Sequence, residues 1–308
     1  MEENRVKGPP PFFRRRVLTL SLEGKELRLL SSWGGSVEFW GSLPLPPGLV
    51  RGGQVADASA MGEFLLSSLR SRSLLPARLC SSFPGLGVLT RTLALPLLRG
   101  VDLGEVVARE ARRHLGVTPE GHRLFWSASG GSGKGGLQRV LVVAVPQEAL
   151  HTLLGAFSVA GLALERLELK TLALARCRPK GDALLAHVES NSLELAVTVQ
   201  GYPALLRTVF LGDDFPREMV AARVVEEVGR TLAFYRESSP ALPLGEEVPL
   251  SLTGGLAEAP GDSLVAAHHS LAPLALAPLE VPLSLPGDFP LARFMVNLGL
   301  LLGSLKRP

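Results

Sequence analysis

The chain has 308 residues, 20% of them charged and 46% apolar, which is enough nonpolar side chain for one large or two medium domains and excludes a disordered chain. The formal net charge is only +3, with no basic stripe interleaved with aromatics, so nucleic acid is not an expected partner. No run reaches the roughly 18 uninterrupted apolar residues of a membrane span, and the N-terminus lacks the apolar stretch of a secretory signal; a cytoplasmic protein is expected.

Residues 1–16 are rich in Pro and Arg and read as a solvated tail. Val17 to Leu30, VLTLSLEGKELRLL, alternates apolar and polar residues on both sides of a break at Glu23-Gly24-Lys25, the pattern of a β-hairpin. Ser36 to Leu43 reads as a third strand and Pro44 to Val55 as a loop. Asp57 can cap a helix to about Arg70, with Met61, Phe64, Leu65 and Leu69 on one face. Leu79 to Phe83 and Val88 to Leu95 read as strands. Asp102 caps the next helix, which has an apolar stripe of Leu103, Val106, Val107, Ala111 and Leu115 and a stop at Gly116.

Leu124 to Ala128 and Val140 to Val145 read as strands joined by SGGSGKGG, and Pro146 opens a helix that Gly161 closes. Residues 86–170 thus read as a compact α+β unit. A second hairpin follows at Leu184 to Val199, LLAHVESNSLELAVTV, then a turn at Gly201-Tyr202-Pro203 and a strand at Leu205 to Leu211. Pro216 opens a helix to about Glu237. Val248 to Leu252 is a strand ending at Thr253-Gly254-Gly255, and Leu291 to Leu302 is a last apolar helix.

The two hairpins superpose in sequence. Ser21-Leu22-Glu23 falls on His187-Val188-Glu189, and Leu27-Arg28-Leu29 on Leu193-Glu194-Leu195, which indicates two related halves of mixed α/β layers. Other motifs carry little chemistry. The glycine-rich tip at 130–136 departs from a phosphate loop, with Ala128 at the first Gly position and Gly135 at the Ser/Thr position, and it joins two strands where a phosphate loop opens a helix. His268 and His269 are adjacent, so they point apart, and no metal-ligand set is expected. Cys80 and Cys177 make no paired motif and read as buried apolar residues. No GxSxG elbow or acid/base pair stands out.

Taken in order, SLPLPPGLVRGGQVAD, LTRTLALP, VVAREARRHL, VVEEVGRTLAFYR, LTGG and FMVNLGLLL carry a resemblance to the PilM family of type IV pilus assembly proteins, from about Val17 to Leu302. That family is actin-like and shares the architecture of the cell-division protein FtsA. The resemblance implies an α/β, ribonuclease H-like fold of two lobes: lobe 1 at 17–85, an FtsA-type inserted α+β subdomain at 86–170, and lobe 2 at 171–289 with a small subdomain reduced to about 213–246. A C-terminal helix at 290–308 returns to lobe 1. It also implies ATP between the lobes, held by an Asp-x-Gly tip on each hairpin, where the Asp positions Mg²⁺ and the Gly lets backbone N–H approach phosphate.

In this chain the Asp positions are Ser21 and His187, and the Gly positions are Glu23 and Glu189, while Gly254 and Gly255 of the adenosine turn remain. Two carboxylates where a triphosphate must sit, each like-charge contact costing on the order of 1–4 kcal/mol, imply a degenerate nucleotide site, a pseudo-ATPase with no catalytic residue, no metal and no cofactor expected. The same resemblance implies an adaptor on the cytoplasmic face of the inner membrane that meets other pilus platform proteins. It would capture the N-terminal segment of a PilN-like membrane protein in a groove by Phe83, Val88, Arg91, Leu93, Leu95, Arg109 and Glu110. Three alternatives stand beside it: a protein akin to the type II secretion protein GspL, which continues into a membrane span; an actin-like ATP-binding protein or enzyme of the sugar-kinase superfamily, which needs the missing Asp and Gly residues; and an FtsA-like filament former, disfavoured by the short small subdomain.

Overall fold

The computed structural model describes residues 16–74, 78–96, 102–128, 137–177, 181–239, 243–245, 247–257, 274–277 and 281–305. The tail at 1–15, the tip at 130–136 and His268-His269 lie outside them. The elements run β1 (Arg16–Glu23), β2 (Glu26–Trp33), β3 (Ser36–Pro44), β4 (Val50–Arg51), β5 (Gln54–Val55), α1 (Ala58–Arg70), β6 (Arg78–Phe83), β7 (Leu89–Pro96), α2 (Leu103–Leu115), β8 (His122–Ala128), β9 (Leu137–Pro146) and α3 (Gln147–Val159). They continue with β10 (Leu164–Leu169), α4 (Lys170–Cys177), β11 (Ala183–Val188), β12 (Ser192–Val199), β13 (Tyr202–Phe210), α5 (Arg217–Ser238), β14 (Pro249–Thr253), β15 (Ala275–Leu276) and α6 (Met295–Leu305).

Local chemistry explains many of the boundaries. Gly24, at φ 57°, makes a two-residue turn that leaves Glu23 paired with Glu26 as the last rung of the first hairpin. Asp57 accepts from Ala60 N at 2.8 Å and starts α1, and Asp102 accepts from Gly104 N at 2.8 Å and starts α2. Gly116 ends α2 in the left-handed conformation.

Some expectations change. The supposed loop at 44–55 contains the small hairpin of β4 and β5, and the turn after the second hairpin is Gln200-Gly201, with Tyr202 and Pro203 already in β13. β10 and α4 were not expected at all. Their sequence, LERLELKTLALARC, mixes the strand and helix periods, and only pairing with β6 separates the two.

Two five-stranded sheets organise the chain, ordered β3-β2-β1-β6-β10 and β13-β12-β11-β14-β15. In each, two antiparallel pairings are followed by two parallel ones. This repeated ribonuclease H-like order is the actin-like fold. Between β6 and β10 stands a three-stranded sheet, β7-β9-β8, whose core of Leu93, Leu95, Val140, Val142 and Ala144 is covered by Val107 and Ala111 of α2.

Helix α6 is buried on every side and packs against α4, β1 and β6. The α4–α6 crossing needs Gly299, where an added Cβ would lie 2.1 Å from Ala173 O. Asn297 of α6 donates to Thr19 O at 3.1 Å and Arg28 O at 3.2 Å, tying the C-terminal helix to the first hairpin. Cys80 and Cys177 are free and buried.

Candidate functional site

The β1–β2 and β11–β12 hairpins point at each other from the two sheets, and their registers match. Ser21 sits across from Arg28, and His187 across from Glu194. Period-2 alternation aims Ser21, Glu23 and Arg28 of one hairpin, and His187, Glu189 and Glu194 of the other, at the space between the sheets. Lys170, the first residue of α4, enters the same space. None of the six charged or titratable residues exceeds 4% exposure.

Burial at that level demands partners, and each group has them. Arg28 makes a two-pronged contact with Glu189 at 2.6 and 2.8 Å and donates to Arg293 O at 2.7 Å. Lys170 Nζ lies 2.8 Å from Glu23 Oε2 and 3.6 Å from Glu194 Oε1. His187 Nε2 sits between Glu23 at 3.3 Å and Glu189 at 3.2 Å, and Nδ1 is 2.9 Å from Thr253 Oγ1. Ser21 donates to Glu23 and lies 2.9 Å from Ser82 Oγ. Ser192 donates to Glu194 at 3.1 Å.

The charges respond to one another. Burial works against an ionised Glu23, but Lys170, His187 and Arg28 overcome it and hold the carboxyl well below the usual range. Glu189 is likewise lowered against burial by His187 and Arg28. Burial opposes the imidazolium of His187, yet the two carboxylates push it up to about 9. For Glu194 burial prevails over Lys170, and its carboxyl is raised. Burial also opposes the charge on Lys170, but Glu194 and Glu23 raise its pKa.

The expected repulsion between two carboxylates and a triphosphate is therefore the wrong description of this place. Glu23 and Glu189 are not bare charges. Arg28, Lys170 and His187 already neutralise them, so the carboxylates occupy the role of the anion. Gly255 N–H, in the turn expected to support adenosine, donates to Glu189 Oε1 at 2.8 Å, and an added Cβ there would meet Arg28 Nη2 at 2.8 Å. Gly254, at φ 102°, lies so close to β11 that a Cβ would come within 2.2 Å of Val188 O. Both glycines are explained by packing against the cluster and its strand.

The hairpin tips also touch, since a Cβ on Gly24 would be 2.6 Å from Ser190 Oγ. The space left among Leu22, Gly24, Lys170, Ser192 and Glu194 is about 20 Å³, against roughly 300 Å³ or more for a small-molecule pocket. Ser21, Glu23, His187, Glu189, Gly254 and Gly255, so arranged, leave no room among themselves for a triphosphate, and a larger cavity of about 400 Å³ opens beside them between Lys25, Asn191, Asp213 and Asp214. Ligand atoms of Glu23, His187 and Glu189 lie within 4.8 Å of one another. A metal ion there would have to displace Lys170 and Arg28 from the same carboxylates.

The residues expected to wall a peptide groove are dispersed. Phe83 lies in the lobe 1 core with Val88 packed against it, while Leu93 and Leu95 lie in the separate core under α2. Arg91 and Arg109 are exposed, and Glu110 sits 3.6 Å from Arg109 and 3.3 Å from His114. One face of β7 meets lobe 2, where the Thr90 and Thr92 hydroxyls donate to Leu206 O and Pro203 O of β13, at 2.8 and 3.3 Å. Together with Tyr202 Oη, which accepts from Leu141 N at 3.2 Å, these bonds join the inserted sheet to lobe 2.

Arg28, Lys170 and Glu194 are the members that sequence reasoning missed as functional. The register offered a signal for two of them, since the hairpin superposition places Arg28 on Glu194, opposite charges at equivalent positions of interior-facing strands.

No family model matches the sequence, and no curated protein matches it. Solved structures do. One chain of a PilM–PilN type IV pilus biogenesis complex aligns at 20% identity with a TM-score of 0.76, covering 94% of this chain and 99% of that one. The cytoplasmic domain of EpsL, an inner-membrane component of the type II secretion system of Vibrio cholerae, aligns at 13% identity with a TM-score of 0.53, covering 95% of this chain and 96% of that domain.

Proposed function

We propose that this chain is a nucleotide-independent adaptor of a type IV pilus assembly platform, working at the cytoplasmic face of the inner membrane. It holds the N-terminal segment of a PilN-like membrane protein and contacts other platform proteins. The observation that carries this reading is the fold-level likeness to a PilM–PilN complex across nearly the full length of both chains. The likeness to cytoplasmic EpsL extends it, because that domain also belongs to an inner-membrane secretion assembly. Among the described residues no helix is long and apolar enough to cross a membrane, so attachment through a partner suits this chain.

Loss of nucleotide use is supported by the site itself. Actin-like ATPases open and close their lobes around a triphosphate; here the Arg28–Glu189 and Lys170–Glu23 pairs and the touching tips hold the two hairpins together. Capturing an extended peptide asks for pockets and a sheet edge, and neither needs ATP. Two measurements test the reading. A pull-down with the N-terminal segment of the cognate PilN-like protein is expected to retain the chain, and no retention by the wild type overturns the adaptor role. Calorimetry with Mg-ATP is expected to show no binding, and micromolar affinity overturns the pseudo-ATPase assignment.

A further inference from the structure

The inserted sheet has a second feature that the adaptor reading does not use and that does not rest on it. β8 pairs with β9 alone, so one of its edges is open among the described residues. Natural proteins usually cover or charge such an edge, because its unpaired N–H and C=O groups recruit strands. Here it displays Phe125 at 49% and Trp126 at 44% exposure. α2 packs chiefly over β7 and β9.

The helix runs alongside β8. Its start is near Trp126, whose indole nitrogen would be 3.9 Å from a Cβ at Gly104. Its second half meets the beginning of β8 at a cavity of about 340 Å³ lined by Ala108, Arg112, Val117, Arg123 and Leu124. An open strand edge flanked by a helix is the geometry in which peptides add as an extra strand, taking affinity from main-chain bonds and specificity from a side-chain pocket.

The pocket states what it wants. Its lining mixes Ala108, Val117 and Leu124 with Thr118, His122 and Gln147, and it includes Arg112 and Arg123, both exposed and neither in an ion pair among the described residues. We propose that β8 and α2 form a docking groove for an extended segment of a partner protein. The segment adds as a strand to β8 and anchors an apolar residue with an adjacent Asp, Glu or terminal carboxylate between Arg112 and Arg123.

The test uses the full chain panned against a phage-displayed library of random decapeptides. Enriched sequences are expected to pair an apolar residue with an acid, and a synthetic copy of one should protect the amides of His122–Ala128 from hydrogen exchange. An Arg112→Glu/Arg123→Glu variant, with thermal unfolding and circular dichroism like the wild type because both positions are exposed, should bind that peptide on the order of tenfold or more weakly. The proposal is overturned by no enrichment, by protection confined to other strands, or by equal binding to the double variant. A concentration-dependent dimer that buries β8 overturns it in favour of a second copy.

Discussion

The β1–β2 and β11–β12 hairpins share register and place in their sheets, yet they carry different chemistry at equivalent positions. Where the first has Arg28 the second has Glu194, and where the first has Ser21 the second has His187. A frame that doubled one motif has diverged so that each copy is the other's partner. The first hairpin brings one acid and one cation, the second brings two acids and His187, and α4 adds Lys170, giving three acids and three cations in one buried cluster. Two copies of an anion-binding tip need a ligand between them; two complementary tips do not.

This complementarity can be broken one member at a time. The largest effect is expected from Arg28→Met, which strands Glu189 in the interior and should cost about 3–5 kcal/mol in denaturant unfolding. Arg28→Met combined with Glu189→Leu should cost less than the single change, because no buried charge is left alone. If the double variant loses as much as the sum of the two singles, the pair is not coupled.

Next comes pH. His187 has a folded pKa near 9 against 6.5 unfolded, so its contribution is fully present below 6.5 and lost as pH rises through 9. Glu23 and Glu189 are depressed, so theirs is present above 4.5 and lost on acidification. Stability should peak between these limits and fall by on the order of 2–3 kcal/mol by pH 10. In His187→Asn the alkaline slope should flatten, and an unchanged slope would move its origin elsewhere.

Lys170→Met should cost less than loss of Arg28, roughly 1–3 kcal/mol. Glu194 is already biased toward its protonated form, and Glu23 keeps His187 and Ser21. The smallest effect belongs to the rim. Lys25 meets Asp214 at 3.1 Å between the lobes with both side chains largely in water, and Lys25→Ala should change stability by no more than about 0.5 kcal/mol. A larger loss would shift weight from the buried cluster to the rim.

Much of the fold was legible. Alternation around Gly24 located the first hairpin, Asp57, Asp102 and Gly116 bounded two helices, and matching the hairpins exposed the duplication. β10 and α4 were not legible, because six residues of LERLEL become a strand through β6, and with them went Lys170. The surroundings of β7 were not legible for a related reason. Leu93 and Arg91 share a face by sequence, but only packing tells that Thr90 and Thr92 on the other face are bonded to β13.

What the sequence determined by itself is the pair of related hairpins and the presence of Ser21, Glu23, His187 and Glu189 at their tips, since strand period and residue type are local properties; that Asp and Gly would stand there is what the resemblance to the PilM family implies. The meaning of those replacements was decided only in three dimensions. Glu23 and Glu189 read along the chain as charges that would repel a phosphate. Arg28 and Lys170 reach them across 161 and 147 residues of sequence and turn repulsion into a neutral, buried seam. The sign of an interaction inside a protein depends on every charge that burial brings within a few ångströms, and that set is a property of the fold.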